Sequence, residues 1–324
     1  MKLFDNILDT LGDTPIVRLD RFFPGPASLA VKLEYFNPGG SVKDRIGLAM
    51  IEAAEEAGEL RPGDTIVEPT SGNTGLGLAM AAILKGYPLV CTVTDKIPLE
   101  KVSLLEAFGV EVIVCPADVE PDDPSSYYRT AERIREERGA FLPYQYYNQA
   151  NPEAHYRSTG PEIWRQTEGR ITHWVAGIGT GGTISGVARY LKEQNPEIRV
   201  IGVDPVGSIY RFFKEHGELP PKDQIRPYLI DGIGEDLLPE SVWMDSIDEV
   251  VTVDDSSAYK AVFELSRQEA IFTGSSGGAA AVAARQIAKP LPGDALVVTL
   301  FPDSGERYLS KLNTEWLRQQ GLVP

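Results

Sequence analysis

Four short segments of this 324-residue chain gather the residue types that do chemistry. The first is NPGGSVKDR (Asn37 to Arg45), which sets Lys43 in the first turn of a helix, directly after a Gly-Gly pair. Cations belong at helix C-termini, so the dipole at this position draws the amine below the ordinary lysine value of about 10.4, which suits a lysine that condenses with a carbonyl. A solvated surface lysine is the plainer reading of any single lysine, and Lys43 gains its weight from company. The second segment, EPTSGNTG (Glu68 to Gly75), places Thr70, Ser71, Asn73 and Thr74 where a strand hands over to a helix. N–H groups and hydroxyls at such a start grip a carboxylate or phosphate, although Ser71 acting as a plain N-cap would also explain the turn. The third, AGIGTGGTISG (Ala176 to Gly186), has the form of a phosphate cup around Gly179, Thr180, Gly181, Gly182 and Thr183. It also satisfies G-x-G-x-x-G at Gly177, Gly179 and Gly182 with Asp204 about twenty residues on, so a dinucleotide site stays open. The fourth, TGSSGG (Thr273 to Gly278), offers the Ser275 hydroxyl to a heteroaromatic nitrogen, or merely caps the next helix.

These segments need elements to carry them. Strand-length apolar runs alternate with helical patterns along most of the chain, which predicts an α/β fold with largely parallel sheets. The predicted strands are 29–33, 65–68, 89–94, 110–115, 172–176, 199–203, 249–253 and 295–300. The predicted helices are 41–57, 71–85, 99–108, 126–138, 183–193, 256–269 and 275–287. Residues 217–239, rich in Pro, Gly and charge, read as a long loop of the kind that covers a site.

Composition removes several classes. A formal net charge of −16 opposes any broad phosphate-binding surface, so nucleic acid is not an expected partner. The acidity itself reads as a solvated surface. Cys91 and Cys115 lie in apolar runs, and neither they nor His155, His173 and His216 have metal-ligand spacing, so neither a disulfide framework nor a metal is expected. Asp5, Asp9 and Asp13 interrupt what would be the apolar core of a signal peptide, and no run of about 18 apolar residues follows. The expected setting is the cytoplasm, with no membrane association.

Taken in order, NPGGSVKDR, EPTSGNTG, GIGTGGT, GVDPVGS, DGIGED and GSSGG resemble the fold type II family of pyridoxal-5′-phosphate (PLP) enzymes, in its cysteine synthase and cystathionine β-synthase branch. The likeness runs from about Leu8 to Lys311. It implies a two-lobed α/β fold like the tryptophan synthase β chain, each lobe a mostly parallel sheet flanked by helices. A small mobile lobe would span 35–145, a large lobe would comprise 1–34 plus 146–324, and PLP would sit between them. Lys43 would carry PLP as its Schiff base and later move the substrate's Cα proton. Asn73 would bond the cofactor's phenolic oxygen, residues Gly179, Thr180, Gly181, Gly182 and Thr183 its phosphate, and Ser275 its ring nitrogen. Thr70, Ser71, Thr74 and Gln145 would clamp the substrate carboxylate, with Gly232 and Asp236 also at the substrate. A hydroxyl at Ser275 does not hold the pyridine protonated as a carboxylate would, which favours loss of a β-substituent over long-lived carbanions.

Within the branch, Gly39, Gly40 and Asp44, together with Glu235, Asp236 and PDSGERYLSK (Pro302 to Lys311), lean toward the cystathionine β-synthases. The resemblance then implies condensation of serine or an activated serine with homocysteine by a homodimer. The alternative is cysteine synthesis from O-acetylserine or O-phosphoserine and sulfide. A nicotinamide-dependent oxidoreductase and a non-catalytic scaffold are the rivals from other classes. Haem and an S-adenosylmethionine-binding tandem domain are not expected.

Overall fold

The computed structural model describes residues 3–70, 72–97, 99–120 and 122–322. In chain order its strands and helices begin β1 (Ile16–Arg18), β2 (Ser28–Leu33), α1 (Lys43–Ala57), β3 (Ile66–Pro69), α2 (Asn73–Lys85), β4 (Leu89–Thr94), α3 (Leu99–Ala107), β5 (Glu111–Cys115), α4 (Tyr127–Arg138), α5 (Ala150–Arg157) and α6 (Thr159–Gln166). They continue β6 (His173–Gly177), α7 (Gly182–Gln194), β7 (Arg199–Pro205), α8 (Tyr210–His216), β8 (Glu249–Val253), α9 (Asp255–Glu269), α10 (Ser275–Ala288), β9 (Leu296–Phe301), α11 (Leu309–Leu312) and α12 (Thr314–Gln319). The chain divides into two compact units, one holding residues up to Leu11 and Asn37–Asn151, the other Gly12–Phe36 and Pro152–Pro324.

The first unit is built on a three-stranded parallel sheet, β3-β4-β5. Val67 and Val90 of that sheet pack on Ala131 and Ile134 of α4, which Ser126 caps by accepting from Arg129 N. Helices α1 and α2 meet backbone to backbone. A Cβ added at Gly77 would lie 2.5 Å from the Lys43 carbonyl oxygen, and one at Gly47 would lie 2.3 Å from the Gly77 carbonyl carbon. Only hydrogen side chains allow this approach, and it sets the first turns of the two helices side by side.

The second unit carries the sheet β1-β2-β9-β6-β7-β8, parallel except for β1, which pairs antiparallel with β2. Buried strands of such a sheet read as continuous apolar runs, and most of these do. Among the exceptions are Thr299 in β9, Asp204 in β7 and, most demanding, Lys32 in β2, which is fully buried. Its ammonium meets Glu162 at 2.7 Å, the Thr14 carbonyl at 2.9 Å and Gln166 Oε1 at 3.0 Å, the partners that a buried charge requires. Cys91 and Cys115 are buried and unpaired with each other.

The predicted elements all form, with ends shifted by up to two residues. Strand β1 and helices α5, α6, α8, α11 and α12 were not anticipated. In α6 the Gly160-Pro161 pair reads as a breaker, yet proline is tolerated in a first turn, where its N–H would have no helical partner. Residues 217–239 are a loop with one 3-10 turn, Lys222–Gln224. No helix among the described residues is long and apolar enough to cross a membrane.

Candidate active site

In the first unit Lys43 is the opening residue of α1, as the spacing predicts. The loop before it is tied back by Asp44, whose Oδ2 accepts from Gly39 N at 2.7 Å and Ser41 N at 3.4 Å, while Ser41 Oγ accepts from Lys43 N at 3.2 Å. Both N–H groups belong to the loop before α1, so the acid in the first turn folds that loop back onto the helix start rather than capping it. Asp44, read from sequence as a branch marker, thus shapes the loop that presents Lys43.

The neighbouring turn ends β3 and opens α2 through Gly72, at φ +144° and without a side-chain cap. Thr70 and Thr74 are buried, and Asn73 begins the helix. Thr74 Oγ1 donates to Gln145 Oε1 at 2.7 Å, which joins two residues assigned to the carboxylate clamp. That bond fixes which end of the buried Gln145 carboxamide faces Thr74. Ser71 lies outside the described residues.

Two residues of this unit were missed. Lys101 on α3 lies over Gly72, its Nζ 3.6 Å from the position a Cβ there would take, and so puts a cation beside the turn. Glu68, at the end of β3, is 1% exposed and accepts from Tyr144 N at 2.9 Å and Gln145 N at 3.1 Å. Burial pushes its carboxyl up to about 7, against the pull of those two N–H groups. Glu68 stands inside the quoted EPTSGNTG motif, but a carboxylate at a strand end gives no sign of which backbone it will meet.

In the second unit the glycine-rich loop runs from β6 into α7. Gly181 is the N-cap of α7 at φ +84°, again with no capping side chain. A Cβ at Gly181 would fall 2.0 Å from Val242 Cγ2, and one at Gly179 would fall 2.5 Å from Gly232 O. The loop is therefore a cradle of backbone N–H groups at a helix start, with the Thr180 and Thr183 hydroxyls beside it. That donor set fits a phosphate. Thr183 Oγ1 also meets Nε2 of buried His155 at 3.2 Å, whose Nδ1 meets Thr159 Oγ1 at 2.9 Å.

The long loop, Ser241 just past it and Tyr210 of α8 brace this cup. Gly234 N donates to Ile178 O at 2.7 Å, Ser241 Oγ to Thr180 O at 2.6 Å, and Tyr210 Oη to Gly179 O at 2.5 Å. Asp231 N donates to Ser275 Oγ at 3.0 Å, so the same loop fixes the hydroxyl assigned to the ring nitrogen. Its carboxylate pairs with Lys311 at 2.5 Å, which ties DGIGED to PDSGERYLSK. Gly232, at φ +81°, and Asp236 are exposed on this loop.

The dinucleotide reading fails at Asp204. That side chain is fully buried and accepts from Arg211 N at 3.0 Å at the start of α8, with burial pushing its carboxyl up to about 6. It caps a helix and has no face to offer a ribose.

A parallel-sheet α/β fold with a lysine at a helix start and a glycine cradle for phosphate describes PLP enzymes of fold type II. Residues 7–303 match the family model "Pyridoxal-phosphate dependent enzyme", and the chain belongs to that family, with PLP as its cofactor. Among similar proteins, a cystathionine beta-synthase of Apis mellifera is 40% identical over 327 aligned positions, 99% of this chain and 64% of that protein. One from Oryctolagus cuniculus is 42% identical, with 99% of this chain and 59% of that protein covered. The chain thus spans about three-fifths of the length of these relatives. A cysteine synthase of Staphylococcus aureus is 42% identical over 95% of this chain and 96% of that one. The crystal structure of O-ureido-L-serine synthase superposes with a TM-score of 0.87 at 39% identity, covering 95% of this chain and 94% of that one.

Proposed function

We propose that the chain catalyses β-replacement, condensing L-serine or an activated serine with L-homocysteine to give cystathionine. PLP, once bound, supplies the electron sink that lets an amino acid lose its Cα proton and then its β-substituent. The chain's own residues do the rest. Thr70, Ser71, Thr74 and Gln145 hold the α-carboxylate, the bond from Thr74 to Gln145 setting two of the four relative to each other. Lys43 Nζ takes the proton from Cα and returns it after the nucleophile has added. Residues 179–183 would hold the phosphate, Asn73 the phenolic oxygen and Ser275, as a neutral group, the ring nitrogen. Gly232 and Asp236 line the approach of the nucleophile. The homodimer and the cytoplasmic setting belong to the same proposal.

The observation that carries this reading is Ser275, whose oxygen is fixed by a backbone N–H with no carboxylate assigned to the ring nitrogen. For homocysteine the support is the match of 99% of this chain to cystathionine beta-synthases. A second reading, sulfide adding to O-acetylserine or O-phosphoserine, is favoured by the nearly end-to-end match to a cysteine synthase. A product assay separates them: serine, O-acetylserine and O-phosphoserine, each with sulfide and with homocysteine, compared by kcat/KM. Homocysteine should prevail, and a preference for sulfide beyond tenfold overturns the choice. The visible absorbance of the PLP-loaded protein should vanish in Lys43→Ala.

A further inference from the structure

We propose that Glu68 is the positioning residue of the carboxylate clamp: seated on the consecutive N–H groups of Tyr144 and Gln145, its carboxylate sets where the Gln145 carboxamide stands. The inference deepens the reading above and rests on it for the role of Gln145.

Gln145 is held from three sides within one unit. Its N–H goes to Glu68 Oε1 at 3.1 Å, its carbonyl accepts from Asn151 Nδ2 at 2.9 Å, and its side-chain oxygen accepts from Thr74 at 2.7 Å. The residue before it, Tyr144, sits at φ +55°, a left-handed conformation that bulky side chains rarely adopt. Successive N–H groups beside a left-handed residue form a concavity that grips an anion, and Glu68 fills it. The anion is internal, so the concavity serves to hold the loop onto the end of β3.

The charge matters as well as the shape. An ionised carboxylate accepts from both N–H groups, whereas a neutral acid or amide keeps one good acceptor and turns a donor toward the second N–H. Burial places the loss of this charge near pH 7, so the clamp is set above that pH and loosens below it. The groups facing Glu68 are few. Cys91 on β4 lies opposite it in register, and burial together with the Glu68 charge raises its thiol far above the working range, so it stays neutral. Tyr144 Oη donates to Glu132 on α4, and that bond, with Arg129 beside it, holds Glu132 ionised.

The test uses PLP-loaded protein titrated with L-serine and followed by the visible absorbance of the bound cofactor. Glu68→Gln should raise the half-saturating concentration about tenfold while PLP uptake stays within twofold of wild type. In a Gln145→Ala background the same change should add less than twofold, because the group it positions is gone. An unchanged half-saturation in Glu68→Gln, or effects that multiply in the double variant, overturns the role. A second measurement covers poor folding of the variant. For wild type the half-saturating concentration should climb more steeply than for Gln145→Ala between pH 8 and pH 6, and equal climbs overturn the role. A wild-type protein whose absorbance ignores every β-substituted amino acid sinks the reading of the site itself and takes the role of Glu68 with it.

Discussion

Gly181→Ala probes whether the cradle is built for a phosphate. At φ +84° an alanine is disfavoured by about 1–2 kcal/mol. Its methyl would also lie 2.0 Å from Val242 Cγ2 and 2.8 Å from Val242 Cα, and intrusion into packed space typically costs about 1–3 kcal/mol. Without cofactor the loop can relax by swinging Gly181 away from Val242, so part of the penalty is deferred until the phosphate demands the original shape. If about 1.4–2.8 kcal/mol is deferred, the Kd for PLP rises ten- to hundredfold. The assay is a titration of apoprotein with PLP, read by the visible absorbance of the complex and repeated in Gly181→Ala/Val242→Ala. Removing Cγ2 takes away the nearest collision but not the backbone strain, so the double variant should recover part of the affinity. A PLP Kd for Gly181→Ala within twofold of wild type, with unaltered thermal stability, would show that neither the strain nor the cup is real.

Two further outcomes concern stability. Glu68 has a folded pKa raised to about 7 from 4.5, so the folded state holds its proton more tightly than the unfolded one, and its ionisation subtracts stability as pH rises through that window. Relative to Glu68→Gln, the wild type should therefore lose about 2 kcal/mol between pH 5.5 and 8.5 in paired urea titrations, and a pH-independent difference refutes the assignment. Lys32→Met leaves the largely buried Glu162 without its cation and should lower stability by about 3–5 kcal/mol. The midpoint in urea should recover in large part in Lys32→Met/Glu162→Leu, and failure to recover points to packing rather than charge.

Much of this arrangement was written in local patterns. Strand-length apolar runs marked nearly every buried strand because parallel strands covered on both faces need no polar alternation. Glycine-rich turns marked the starts of α2 and α7, which follow strands within a few residues, and of α10, which follows α9. Contacts between distant segments were not legible. Glu68 reaches residues 144 and 145, Ser241 reaches 180, and Lys101 reaches Gly72, each across a separation that no window of sequence spans. Asp204 misled for the complementary reason. An acid at a strand end satisfies a ribose-binding spacing, and only its burial at the start of α8 reveals a cap.

The cradle also bears on how such a catalyst could be retooled. Gly177, Gly179, Gly181 and Gly234 each have a neighbouring atom within 2.6 Å of where a side chain would begin, so libraries at those codons should return mostly inactive clones. Glu235 and Asp236 sit on the same loop with partial or full access to solvent, and no backbone geometry restricts them to glycine. Sequence variety in this loop is therefore best tolerated at those two acidic positions while the glycines beside them stay fixed.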